Sequence, residues 1–240
     1  MSSQPDVRRL LLSEPRLRPY LNDAGQDLER AWSTYLWANE LSGSLHAQIS
    51  LVEVAIRNAL DRAVSTWNVA NGGSAEWTLP GNAQEPLYAL LKNDLNKARR
   101  AAAREAGLRT TGHPRQGVTA GHDDIVAQLM FGTWVKLLRP MSKVESPHRQ
   151  VALWSAGLNA AFPGADQSDA GRAKIGEQLD SIRRLRNRVA HHDNLLGVKT
   201  SSRLNQMLSL VHKANAAYPR LVMANSSVRR IARDDPRRIK

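Results

Sequence analysis

The 240-residue sequence has no cysteine, no long hydrophobic run and comparatively few acidic residues. Without cysteine, a disulfide-stapled scaffold and a zinc site with thiolate ligands are excluded, and a reducing compartment is a natural fit. No stretch approaches the roughly 18 apolar residues that a membrane helix needs. The only apolar run near the start, Leu10 to Leu12, is too short for a signal peptide. We therefore expect a soluble, cytoplasmic protein that does not enter a membrane.

Basic residues dominate the charge. Lys and Arg number 34 against 22 Asp and Glu, which gives a net charge of +12. Most of the basic residues are arginine, whose planar fork can hold a phosphate with two hydrogen bonds. A polyanionic partner such as RNA is one explanation. An arginine-rich composition inherited from a GC-rich genome is another, and the charge alone does not separate them.

Apolar residues recur with the period of an α-helix through most of the chain. Between Gln26 and Ser65 they predict two consecutive helices, or one long helix bent at Gly43, with Asp23 or Asp27 as the N-cap. A helix over 168–193 should bury a stripe of Ile175, Leu179, Ile182, Leu185 and Val189. Further helices are predicted over 86–106, 123–138, 147–161 and 200–218.

No segment shows the alternation of a β-strand, so the fold is predicted to be an all-α bundle with short loops and one longer basic loop over 107–121. Residues 25–218 are expected to form a single domain. Residues 1–24 would be an N-terminal extension and residues 219–240 a basic C-terminal tail. From Ser226 onward the tail carries five arginines, and we expect it to be loosely ordered.

The sequence lacks the P-loop, zincin and nucleophile-elbow motifs. One unusual segment remains, Ile182 to Asn194, which combines arginines, an amide and two histidines at the end of a predicted helix. At about 100° per residue, Asn187 and His191 share a face that points away from the core, while Arg186 lies about 140° from His191. One helix therefore cannot easily aim both at the same atom, whereas two copies across a twofold axis could.

These residue types suit RNA cleavage. RNA carries its own nucleophile, the 2′-hydroxyl, so a catalyst must move protons and stabilise charge on phosphorus. A histidine can act as general acid or base, and an arginine can stabilise the phosphate as charge builds. An Arg followed by a His a few residues later is common by chance in an arginine-rich chain, so the spacing alone is a weak signal.

Three longer segments, in this order, strengthen the signal. They are Leu51-Val52-Glu53-Val54-Ala55-Ile56-Arg57-Asn58, Phe131-Gly132-Thr133-Trp134, and Leu185-Arg186-Asn187-Arg188-Val189-Ala190-His191-His192. Together they resemble the L-x-E-V-x-x-R-N, F-G-x-W and L-R-N-R-x-A-H-H segments of the Abi-like (abortive infection, AbiD/AbiF-type) family within the HEPN superfamily. The matches frame roughly residues 25 to 215.

The resemblance implies a HEPN-like helical bundle with additional helices that dimerises and acts as a metal-independent endoribonuclease without a cofactor. Relatives work in phage defence or as toxins, some with a protein or small-RNA antitoxin. The R-N-x-x-x-H motif of the superfamily maps onto Arg186, Asn187 and His191 as catalytic residues. His192 would be a supporting or capping residue. Cleavage would leave a 2′,3′-cyclic phosphate and a 5′-hydroxyl.

Other residues are expected to assist. Glu53 and Arg57 stand four apart on one helix and should form an ion pair, or else Glu53, Arg57 and Asn58 support the site from a neighbouring helix. A metal site at His191-His192-Asp193 is disfavoured because neighbouring side chains on a helix diverge. Basic residues of segment 97–115 and of the motif helix are candidate RNA contacts: Arg99, Arg100, Arg104, Arg183 and Arg188.

Two other functions stay open from the sequence. A catalytically inactive module that binds RNA or a protein partner could keep the same bundle, and so could a purely structural oligomer.

Overall fold

The computed structural model describes residues 6–142 and 144–238. Within these ranges the chain forms helices and two short 3-10 turns but no strand, so the all-α prediction is confirmed. In chain order the helices are α1 (Val7–Leu12), α2 (Glu14–Asp23), α3 (Leu28–Ala70), α4 (Leu87–Gly107), α5 (His122–Gln128), α6 (Phe131–Lys136), α7 (His148–Ser155), α8 (Asp169–Ala190), α9 (Thr200–Ala214), α10 (Tyr218–Met223) and α11 (Val228–Arg233).

The helix α3 is the longest element, with 43 residues and a length of about 64 Å. Asp27 caps its start by accepting a hydrogen bond from the backbone N–H of Arg30. The helix runs through Gly43 without interruption, so the alternative of two separate helices is wrong. Leu41 and Leu45 are both fully buried on either side of this glycine, and this continuous apolar stripe outweighs the low helix propensity of one exposed glycine.

Two hydrophobic clusters form along α3. The smaller one joins the first turns of α3 to α1 and α2, which the sequence patterns did not predict as helices; its buried members include Leu17, Tyr20 and Leu21. The larger cluster surrounds the rest of α3 and contains the inner faces of α4 to α11. Residues 1–5 of the predicted N-terminal extension lie outside the described residues, and the domain boundaries at residues 24 and 218 stay predictions.

The helix α8 packs its predicted apolar stripe into the larger cluster. All five side chains of the stripe are at most 5% exposed, as predicted: Ile175, Leu179, Ile182, Leu185 and Val189. Ser168 caps the start of the helix through the backbone N–H of Gly171. Because the stripe holds one side of α8 inside the protein, the opposite side of its C-terminal end, with Arg184 and His191, faces solvent.

The segment that was predicted as one helix over 123–138 forms two, α5 and α6. Leu129 and Met130 adopt extended backbone angles between them. In a continuous helix Leu129 and Phe131 would point about 160° apart. Both are buried in the structure, at 5% and 3% exposure, because the extended pair redirects the chain between them.

The C-terminal tail is folded, so the expectation of a loosely ordered tail from Ser226 is wrong for the described residues. Val228 and Ile231, three positions apart on α11, are almost fully buried against α3. The indole Nε1 of Trp37 donates to the Ile231 carbonyl oxygen at 2.8 Å. Two apolar residues at helical spacing, together with this hydrogen bond, dock a segment that is otherwise strongly basic. Lys240 lies outside the described residues.

The predicted long loop is present over residues 108–121, and one carboxylate anchors it. Asp124 accepts hydrogen bonds from Arg109 at 3.0 Å, from Arg115 at 2.6 and 2.7 Å, and from the backbone N–H of Gly121 at 2.9 Å. These contacts lower the pKa of Asp124 to about 2, the Arg115 hydrogen bond most of all. The two loop arginines are therefore held by the protein.

A polar cluster links α3 to the start of α5. The Oδ1 atom of Asp61 lies 3.3 Å from Nε2 of His122 and accepts a hydrogen bond from Trp77 at 2.8 Å. The other imidazole nitrogen lies 2.8 Å from the Thr78 hydroxyl. Burial opposes protonation of His122, but the hydrogen bond and charge of Asp61, with added charge from Asp123 and Glu76, leave the pKa of His122 above its ordinary value.

We expect this cluster to make stability depend on pH. A pKa that is raised on folding adds stability below the unfolded value of about 6.5, and that stability is lost as the pH rises through the higher folded pKa. Urea unfolding between about pH 6 and about pH 9 should therefore show a decline in the free energy of unfolding. The decline should be smaller in Asp61→Asn, which lacks the charge; equal declines in both proteins would contradict this assignment.

Candidate active site at the end of α8

Two backbone hydrogen bonds close α8 at the motif histidines. The N–H of His192 donates to the Val189 carbonyl at 3.2 Å, and the N–H of Asp193 donates to the Arg188 carbonyl at 2.9 Å. This pair of bonds is the Schellman motif, which needs a left-handed residue in between. His192 supplies it with a φ of 54°. His191 is thus the last residue in register with the helix.

Asn187 and His191 lie together on the solvent side of α8. Both line an open groove of about 410 Å³, and the imidazole of His191 is exposed. Among the described residues, neither side chain has a hydrogen-bond partner within the chain. The groove also receives three arginines, Arg184, Arg188 and Arg203, against one carboxylate, that of Asp193. An amide and an imidazole, both without partners, therefore face a basic groove.

Arg186 does not share this groove. Its Nε atom lies 3.9 Å from a carboxylate oxygen of Glu53 on α3, on another side of α8. The angular separation that was expected from helical geometry thus persists in the structure. Within one chain, Arg186 and His191 do not converge on a common point.

The expected ion pair between Glu53 and Arg57 is wrong. In the described ranges Glu53 pairs with Arg186 and not with its neighbour on α3. The Nε atom of Arg57 is buried without a hydrogen-bond partner, and Asn58 is exposed. The position of Arg186 beside α3 explains the change, because it brings a cation from α8 to the carboxylate.

His192 has a structural role through its backbone. Its left-handed conformation ends α8, and its carbonyl oxygen accepts a hydrogen bond from Arg16 of α2 at 2.8 Å. The contact ties the motif segment to the smaller hydrophobic cluster. Nothing in the sequence pattern pointed to Arg16, since this contact joins positions 176 residues apart.

The predicted RNA-binding arginines differ in their exposure and in their contacts with the rest of the protein. Arg99 donates to the Thr78 carbonyl at 2.6 Å and to the Leu79 carbonyl at 2.9 Å, so its guanidinium stabilises the turn before α4. Arg183 pairs with Asp180 at 2.7 Å. The other three are exposed: Arg100, Arg104 and Arg188.

Two groove residues were missed from the sequence. Arg184 stands three positions before Asn187, so the same helical geometry could have placed it on that face. Arg203 comes from α9, and only the folded chain brings it there. Among the residues that the structure describes, no group of three or more His, Asp or Glu side chains is arranged to hold a metal ion. In the same part of the chain, no helix is long and apolar enough to cross a membrane.

A family model described as Abi-like protein matches residues 12–197, a span that includes all three motif segments. The chain belongs to the Abi-like family. Membership associates this Abi-like protein with defence by abortive infection. No curated protein and no solved structure matches it.

Replacing His192 with glycine should stabilise the Abi-like protein. A non-glycine residue in the left-handed region costs about 1–2 kcal/mol, part of which glycine loses again as chain entropy on folding. We expect a net gain of about 0.5–1 kcal/mol and a rise in Tm of about 1–4 °C. Thermal unfolding measures it. His192→Ala, which removes the imidazole but keeps Cβ, is the control and should show no gain; equal behaviour of the two variants would contradict the backbone explanation.

Proposed function

We propose that this Abi-like protein is a metal-independent endoribonuclease of the HEPN type that acts in abortive infection or as a toxin. The observation that carries the proposal is the pair of half-buried Asn187 and exposed His191, which lie in a groove that Arg184, Arg188 and Arg203 make basic. The motif resemblance supports the same assignment. A groove of this kind suits a phosphodiester, since it offers a proton-transfer group beside several phosphate-binding donors.

The reaction would use the 2′-hydroxyl of the substrate as nucleophile. Its oxygen forms a bond to the adjacent phosphorus while the bond from phosphorus to the 5′ oxygen breaks. The 2′-hydroxyl loses its proton as it attacks, and the 5′ oxygen gains a proton as it leaves. His191 transfers one of these protons as general base or general acid and water transfers the other, while Asn187 donates a hydrogen bond to a phosphate oxygen. Arg186 stabilises the negative charge that builds on the phosphate. The products are a 2′,3′-cyclic phosphate and a 5′-hydroxyl.

The separation of Arg186 from the groove supports a site made by two protomers. Arg186 lies beside Glu53 on one side of α8, while His191 lies in the groove on another. In a twofold dimer, Arg186 of one protomer could reach the groove that holds His191 of its partner. To do so it would exchange Glu53 for the phosphate, and a partly exposed ion pair 3.9 Å apart costs little to break.

A module that binds RNA without cutting it would have the same groove, so catalysis has to be tested directly. Purified wild-type protein should cleave RNA in the presence of EDTA and leave cyclic-phosphate ends. Arg186→Ala and His191→Ala should each abolish this cleavage and also abolish growth inhibition on expression, with helicity and oligomeric state unchanged. Cleavage that EDTA removes, or that survives in His191→Ala, would overturn the proposal.

Mixing the two inactive variants tests the shared site. If the site combines protomers, a dimer of one Arg186→Ala chain and one His191→Ala chain keeps one intact site and loses the other. After co-refolding in equal amounts, about a quarter of the wild-type rate should return. A site contained within one protomer predicts no recovery. Wild-type protein diluted with the double variant Arg186→Ala/His191→Ala is the control.

A further inference from the structure

We propose that a second phosphate-binding subsite lies next to the His191 groove, formed by Arg139, Arg183 and Arg184 around the buried carboxylate of Asp180. Its ligand is the backbone of single-stranded RNA, one or more nucleotides away from the cleaved bond. The identity of the ligand rests on the proposed function, whereas the subsite itself rests on the geometry of these four residues.

Asp180 gathers the three guanidinium groups. Arg183 directs Nε and Nη2 to one of its oxygens at 2.8 and 2.7 Å. Arg184 and Arg139 approach the other oxygen at 3.2 and 3.4 Å. The Asp180 side chain is only 9% exposed, while those of Arg139 and Arg184 are 35% and 66% exposed. The carboxylate therefore lies behind the arginines, which face solvent.

One carboxylate cannot neutralise three arginines. The four side chains together carry a net charge of +2, and Glu145 at the edge of the same groove reduces this to +1. Each guanidinium has five N–H groups and directs only one or two of them to Asp180. The remaining donors are available, and a carboxylate that restrains the forks lowers the entropy cost of binding a phosphate.

The fold builds this arrangement through residues spaced four apart on α8. Arg172, almost fully buried, donates a hydrogen bond to the Leu138 carbonyl. At Gly176 a Cβ atom would lie only 3.0 Å from Cβ of Arg139 and 3.2 Å from the Leu138 oxygen, so glycine permits the close approach of this segment. One turn further on, Asp180 meets Arg139. The position of Arg139 is therefore specified by three consecutive turns of α8.

The subsite and the His191 groove are continuous. On α8, Asp180, Arg184, Asn187 and His191 follow one another at intervals of 4, 3 and 4 and share one face within about 60° of arc. Arg184 lines both grooves. The distance from Asp180 to His191 along the helix is about 16 Å, which leaves room for more than one phosphate. An RNA strand lying along this face would meet the arginines first and the imidazole at its end.

Binding of a non-cleavable RNA tests the subsite. The probe is a fluorescein-labelled 2′-O-methyl oligouridylate, whose blocked 2′-oxygen cannot attack, and the readout is fluorescence anisotropy at several salt concentrations. Arg139→Gln is the informative variant because Arg139 lines only the second groove. Its affinity should fall several-fold, and the slope of log affinity against log salt should decrease by about 0.7, the value for one lost phosphate contact on a single strand.

Arg220→Gln is the matched control, since Arg220 is an exposed arginine on α10 outside both grooves. Arg220→Gln should leave the salt slope unchanged. Arg139→Lys, which keeps the charge, should retain most of the wild-type slope. Equal binding by Arg139→Gln and Arg220→Gln would overturn the subsite, and so would an absence of RNA binding by the wild-type protein.

Cleavage of ordinary RNA, measured in parallel, separates the two proposals. If Arg139→Gln has a smaller salt slope but the wild-type protein cleaves no RNA, the subsite is supported and the nuclease assignment is overturned. Cleavage that depends on His191, with the Arg139→Gln slope unchanged, would leave the nuclease and overturn the subsite. Circular dichroism of each variant confirms that the fold is intact.

Discussion

The structure around the motif depends on where α8 ends. Two backbone hydrogen bonds to Val189 and Arg188 stop the helix immediately after His191 and turn the chain through the left-handed residue His192. This turn leaves the His191 imidazole on the solvent side and sends Leu195 back into the core, where it is 1% exposed. The segment is then held from both ends of the chain. Arg16 binds the His192 carbonyl, and Arg237 binds the Leu196 carbonyl at 3.0 Å.

The helix α8 both packs into the core and carries the motif residues, and its sequence places these two sets of side chains at different angles around the helix axis. The apolar stripe from Ile175 to Val189 packs into the core, which fixes the rotation of α8 about its own axis. Once that rotation is fixed, Asn187 and His191 must face solvent and Arg186 must lie near Glu53. The division of the motif between two surfaces is therefore a consequence of core packing, and a shared site between protomers is the arrangement that would reunite it.

The sequence predicted what depends on local periodicity. The all-α fold, the stripe of α8, the loop over 108–121 and the common face of Asn187 and His191 all follow from spacing within one segment. What could not be predicted depends on contacts between distant segments. The Glu53–Arg186 pair, the Arg16 contact with His192 and the docking of α11 through Val228 and Ile231 each join residues far apart in the chain. Each of these residues could also form contacts with neighbours in the chain, and only the folded arrangement determines which contact forms.

The arginine excess illustrates the same limit. A count of charges treats all arginines alike, but the structure divides them by what lies behind each guanidinium. Arg99 donates to backbone carbonyls, and Arg109 and Arg115 donate to the carboxylate of Asp124 in α5. In contrast, Arg139, Arg183 and Arg184 share one carboxylate among three cations, so positive charge remains at the surface. Affinity for a polyanion should follow this uncompensated and oriented charge, because an arginine that Asp180 already holds loses less side-chain entropy when it binds a phosphate.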